Sequence, residues 1–107
     1  MDRNAAIEIA NQYARAVVSE LSPSSVFLYG SYASEKAHPN SDIDVAVVFD
    51  GFDGNWLKTS AMLWKLRRDI SDDIEPILLD STKDPSGFLG EIIKTGEILY
   101  NTNRKES

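Results

Sequence analysis

The 107-residue chain contains no cysteine, which excludes a disulfide framework, thiol catalysis and thiolate metal sites. Long apolar runs are also missing, and nothing approaches membrane-spanning length. The opening Met1-Asp2-Arg3-Asn4 lacks the apolar stretch of a signal peptide, so the expected compartment is the cytoplasm. Basic residues are scarce: 11 Lys and Arg stand against 17 Asp and Glu, for a net charge of −6. That balance argues against an electrostatic nucleic-acid binder. It still admits a nucleotide, provided that metal ions neutralise both the phosphates and the carboxylates around them. No internal repeat, low-complexity segment or linker interrupts the chain.

What is present is ordinary for one globular domain, with 42% hydrophobic and 26% charged residues. The expected organisation is a single domain over residues 1–107, with its ordered core at about 4–100 and a polar tail at 101–107.

Helical and extended patterns alternate. Ile7, Ala10, Ala14, Val17, Val18 and Leu21 recur at helical spacing, predicting an amphipathic helix over about 4–21. Ser22-Pro23-Ser24 breaks it, and a first strand follows at 25–29. A short helix is expected at 31–37, ended by His38-Pro39-Asn40. Residues 42–50 read as a strand buried on both faces. Asn55 is an N-cap for a helix through about residue 70. A third strand spans 74–80, where Pro76 marks an edge or an interruption of pairing. Asp84-Pro85 begins a helix with the apolar stripe Phe88, Leu89, Ile92 and Ile93, stopped by Gly96. An edge strand at 97–100 ends the order. The fold class is therefore α/β (or α+β), with helices packed on a small mixed sheet.

The chemistry concentrates in three places. Gly30-Ser31 ends the first strand, and a turn there exposes backbone N–H groups that can hold a phosphate, aided by the helix that follows. After ten intervening residues, Asp42-Ile43-Asp44 opens the second strand. Carboxylates at i and i+2 on a strand share a face, with Cα atoms about 6–7 Å apart. Both can then serve one divalent ion, or a pair of ions about 3.5–4 Å apart. A turn cap explains Asp42 well but Asp44 poorly, because an unpaired charge between Ile43 and Val45 is costly. Glu75 is the acidic residue within an otherwise apolar strand. If that strand neighbours the Asp44 strand, the three carboxylates make a hard oxygen site suited to magnesium. Otherwise Glu75 sits at a solvated edge or pairs with Arg67 or Arg68.

Together these residues resemble the signature of the minimal nucleotidyltransferases, within the DNA polymerase β-like nucleotidyltransferase superfamily. The likeness is carried by Phe27-Leu28-Tyr29-Gly30-Ser31-Tyr32-Ala33, by Ser41-Asp42-Ile43-Asp44-Val45-Ala46-Val47-Val48, by Ile74-Glu75-Pro76 and by Gly96-Glu97-Ile98-Leu99-Tyr100. The resemblance implies the polymerase β-like fold and magnesium-dependent transfer of a nucleoside monophosphate, AMP from ATP, to a hydroxyl. Gly30 and Ser31 would hold the triphosphate. Asp42, Asp44 and Glu75 would be the metal ligands for two magnesium ions and the catalytic carboxylates, with Glu75 deprotonating the acceptor. Larger members carry an acceptor-binding domain, whereas here the fold is expected to be complete by Tyr100. The implied partner is therefore another protein, typically a HEPN-domain toxin modified on a tyrosine, with this chain as its antitoxin; a homo-oligomer is also open.

Ser34 and Glu35 stand where the resemblance has a basic residue and a glycine. They motivate an alternative, a binding module with a degenerate site that neutralises its partner by contact. A small-molecule (antibiotic) nucleotidyltransferase is the third reading. His38, the only histidine, reads as an exposed turn residue, with proton shuttling as the alternative. Trp56 and Trp64 are eight residues apart and about 80° apart around a helix. They read as core packing or as a partner interface.

Overall fold

A computed structural model describes residues 2–34 and 41–102, apart from the side chain of Ser34. Glu35, the rest of the helix expected at 31–37 and its stop at His38-Pro39-Asn40 lie outside the described residues. Helix α1 (Arg3–Leu21) starts where Asp2 Oδ1 accepts the Ala5 N–H at 2.8 Å, satisfying one of the free amides of the first turn. It stops at Ser22, whose left-handed backbone (φ 51°) returns its N–H to the Val18 carbonyl. Pro23 then prevents continuation.

Strands β1 (Ser25–Tyr29), β2 (Ile43–Phe49), β3 (Ile74–Asp80) and β4 (Glu97–Asn101) form one sheet in the order β3-β2-β1-β4. β1 runs antiparallel to β2 and β4, and β2 runs parallel to β3. The mixed sheet matches the expectation. β3 lies at an edge, where Pro76 loses no essential ladder bond. Helix α2 (Ser31–Ser34) follows β1, helix α3 (Trp56–Leu66) makes the crossover from β2 to β3, and helix α4 (Phe88–Thr95) precedes β4.

Alternation along β2 separates the two faces. Ile43, Val45 and Val47 join Val26, Leu28, Ile74 and Leu78 beneath α1 and α3. Ala46 and Val48 join Phe27 beneath Leu89 and Ile92 of α4. Tyr13 is the main addition to the expected core: it is fully buried, and its hydroxyl donates to the Leu63 carbonyl at 2.7 Å, tying α1 to α3. Arg3 pairs with Glu97 at 2.7 Å and also donates to the Tyr32 carbonyl, joining α1 to β4 and α2.

Two helix boundaries differ from expectation. α3 ends at Leu66, and residues Arg67–Asp69 tighten into a 3-10 turn. α4 begins at Phe88 rather than near Asp84, because the Asp84 carboxylate reaches forward to accept the Leu89 and Gly90 N–H groups. Asp84 thus caps the helix from outside it. Trp56 and Trp64 are both about two-fifths exposed, so neither is ordinary core. Trp56 packs edge-on against Phe52, and Trp64 carries the Arg67 guanidinium over its ring. No helix among the described residues is long and apolar enough to cross a membrane.

Candidate active site

The register of the sheet builds the site. Tyr29 lies opposite Asp44 across β1 and β2, and Asp44 lies opposite Glu75 across β2 and β3. The three side chains therefore form a row on the α4 face, one step beyond the apolar row Phe27, Ala46 and Ile77 that α4 covers. Beyond that cover, a charged group can remain hydrated. Asp44 is accordingly only half-buried, while Glu75 and Asp42 are exposed.

Gly30 closes the row from the β1 side. Its φ of +77° favours glycine, and a Cβ added there would overlap Asp44 Oδ2 and lie 3.2 Å from Asp44 Cγ. The turn thus folds directly onto the carboxylate, and Ser31 starts α2 immediately after it. Sequence position alone suggested two neighbouring elements; the backbone brings them into contact.

The electrostatics agree with this geometry. Partial burial, then the charges of Glu75 and Asp42, push the Asp44 carboxyl up to about 6. Burial, then Asp44 and Glu75, raise the Tyr29 hydroxyl to about 12, keeping it protonated at neutral pH. Glu75 makes no ion pair among the described residues. Arg67 instead donates to the Asp72 and Ile74 carbonyls, which removes it as the partner considered for Glu75.

All five sequence-predicted site residues occupy one end of the sheet: Gly30 in the turn, Ser31 at the start of α2, Asp42 just before β2, Asp44 in β2 and Glu75 in β3. Asp44 and Glu75 are adjacent. As the side chains stand, no three acidic or histidine groups among the described residues converge as ligands for one ion. The donor set is nevertheless of the right chemistry for magnesium. It is made of hard carboxylate oxygens whose mutual repulsion a cation would relieve, beside a turn shaped for close backbone approach.

Tyr29 was not singled out from the sequence as a neighbour of the carboxylates. Its signal was parity: it precedes Gly30 and ends a strand antiparallel to the Asp44 strand. The sequence pattern places Phe88 only in the apolar stripe of its helix. It instead stands edge-on to Tyr29, with ring centroids 5.8 Å apart and planes at 88°.

A family model described as "Polymerase beta, Nucleotidyltransferase" matches residues 11–105. Among solved structures, a protein assigned as a nucleotidyltransferase from Sulfolobus solfataricus superposes with a TM-score of 0.72 at 20% identity, covering 95% of this chain and 86% of that one. A toxin–antitoxin structure with AMP-PNP gives 0.64 at 23% identity, covering 90% of this chain and 77% of that one. The MntA–HepT toxin–antitoxin structure gives 0.58 at 20% identity, with coverages of 92% and 76%. At these identities the likeness is one of fold. A search among curated proteins finds no match. With the family model spanning all four strands and the carboxylate row lying within it, the chain belongs to the polymerase beta nucleotidyltransferase family.

Proposed function

We propose that this protein is a magnesium-dependent nucleotidyltransferase that moves AMP from ATP to a hydroxyl on a partner protein. The observation that carries the reading is the closure of the Gly30 turn onto Asp44, with Glu75 in register beside it. A phosphate cradle and hard-metal carboxylates thereby meet at one point.

Each residue then has a task. Backbone N–H groups at Gly30 and Ser31 hold the triphosphate. Asp42, Asp44 and Glu75 are the residues that would hold two magnesium ions. The chemistry such ions supply is neutralisation of charge on the α-phosphate and the departing pyrophosphate. Glu75, exposed on the edge strand, takes the proton from the acceptor hydroxyl. The acceptor oxygen attacks the α-phosphorus, the bond to the β-phosphate oxygen breaks, and pyrophosphate leaves. Tyr29, protonated at neutral pH, adds a hydrogen-bond donor beside Asp44 without adding negative charge.

Toxin–antitoxin complexes among the structures of like fold support a partner protein as acceptor, and one of them holds AMP-PNP. Our reading is that this chain acts as an antitoxin toward a HEPN-type toxin, with a tyrosine as acceptor and the cytoplasm as compartment. The test is intact-mass spectrometry of the partner after incubation with ATP and magnesium. A gain of one AMP that disappears with Asp44→Asn supports transfer; an unchanged mass, or a gain that survives the substitution, refutes it.

A second reading is a binding module that neutralises its partner by contact. It is favoured by the absence of three converging ligands among the described residues and by Ser34 and Glu35. It predicts neutralisation by the Asp44→Asn variant with undiminished strength.

A further inference from the structure

The row Tyr29, Asp44 and Glu75 has two flanks. Glu75 lies on the open edge strand β3, where an acceptor can approach. Gly30 and Ser31 continue from Tyr29, so the phosphate cradle belongs to the β1 flank. On that same flank α4 presents Phe88, its first residue, about two-fifths exposed.

Phe88 does little for the core. Leu89 and Ile92 supply the packing of α4 against Phe27, Ala46 and Val48. Phe88 meets the sheet through an edge contact with Tyr29. That contact fixes the ring while part of its surface stays exposed. Tyr29 in turn lies opposite Asp44. An aromatic surface is thus held next to the carboxylate row, on the side where a nucleotide's phosphates would sit.

The nearby start of α4 does not compete for those phosphates. Its Leu89 and Gly90 N–H groups already donate to the Asp84 carboxylate at 3.0 Å each. The α4 start therefore offers an apolar ring beside a neutralised helix end. Such a surface suits the nucleoside half of the ligand and not its charged half.

We propose that Phe88, braced by Tyr29, is the surface on which the nucleobase of the bound nucleoside triphosphate stacks. The inference rests on the nucleotide-site reading above and extends it to the base. Stacking on an aromatic ring tolerates any base but strengthens with the size of the ring system. Purine nucleotides should therefore bind better than pyrimidine nucleotides.

The test compares ATP with inorganic tripolyphosphate, each titrated calorimetrically into the whole protein with magnesium. Wild type, Phe88→Ala and Phe88→Trp are examined in parallel. Phe88→Ala should weaken ATP about tenfold, leave tripolyphosphate unchanged and abolish the preference for ATP over UTP. Phe88→Trp should restore ATP binding. Unchanged ATP affinity in Phe88→Ala overturns the proposal and leaves the ring for acceptor contact. Equal weakening of both ligands overturns it too, because that is the signature of a structural role. A wild type that binds tripolyphosphate as tightly as ATP refutes base stacking while sparing the phosphate site. A wild type that binds neither refutes the nucleotide site itself.

Discussion

Replacing Asp44 with Asn removes a charge that the fold holds against its own preference. The substitution keeps the shape of the side chain beneath Gly30 and deletes repulsion from Glu75 and Asp42. In the folded protein the Asp44 carboxyl is pushed up to about 6 from an ordinary value near 4. At about 1.4 kcal/mol per pH unit, that displacement sets a ceiling of about 3 kcal/mol. Asp44 is only half-buried, and solvent screening reduces the figure to about 1 kcal/mol. The sign follows from proton linkage. Folding favours the protonated carboxyl, so its contribution is fully present below about pH 4 and is lost as the pH rises through 6. Urea unfolding followed by circular dichroism, in EDTA, should show Asp44→Asn more stable than wild type by about 1 kcal/mol at pH 7. For a domain of this size that is about 4–8 °C in melting temperature. The gap should shrink toward pH 4, and magnesium should stabilise only the wild type. A variant that is no more stable at pH 7, or a gap independent of pH, would refute the reasoning.

Two further outcomes follow from single contacts. Gly30→Ala must place a Cβ against the Asp44 carboxylate at a φ of +77°, which should cost roughly 1–3 kcal/mol and abolish ATP binding; denaturant midpoints and calorimetry check both. Tyr13→Phe removes the donor that satisfies the Leu63 carbonyl between α1 and α3. It should lower stability by about 1 kcal/mol with the ATP affinity unchanged, as read by urea unfolding and titration.

Much of this architecture was legible because local signals agreed with one another. Asn55 caps a helix where the pattern begins, and β3 occupies 74–80 as its apolar run predicts. Pro76 restricted β3 to an edge or an interruption of pairing, and the sheet order settles it as an edge. What escaped depended on partners distant in sequence. Tyr13 has no local pattern that names its partner, and its hydroxyl finds a carbonyl 50 residues away. The start of α4 moved because Asp84 bonds forward to amides five and six residues on, leaving Pro85-Ser86-Gly87 as a turn. The tryptophans of α3 face outward because Leu63 is the one fully buried residue of that helix.

The candidate site divides in the same way. Residue types and spacing marked Gly30, Ser31, Asp42, Asp44 and Glu75. Their assembly required the parallel register of β2 and β3, which the crossover through α3 sets and which no local pattern encodes. Tyr29 and Phe88 were hidden for a related reason. Apolar and aromatic residues mark a core in sequence, and only the point where α4 stops covering the sheet reveals which of them reach the carboxylates.

The central claim is that the Gly30 turn and the carboxylate row form a working nucleotide site. Its most direct test is calorimetric titration of ATP into the purified protein with magnesium and with EDTA, alongside the Asp42→Ala/Asp44→Ala double variant. The account predicts binding with magnesium that is lost in EDTA and in the variant. Absence of binding at millimolar ATP, or binding indifferent to both metal and carboxylates, would contradict it.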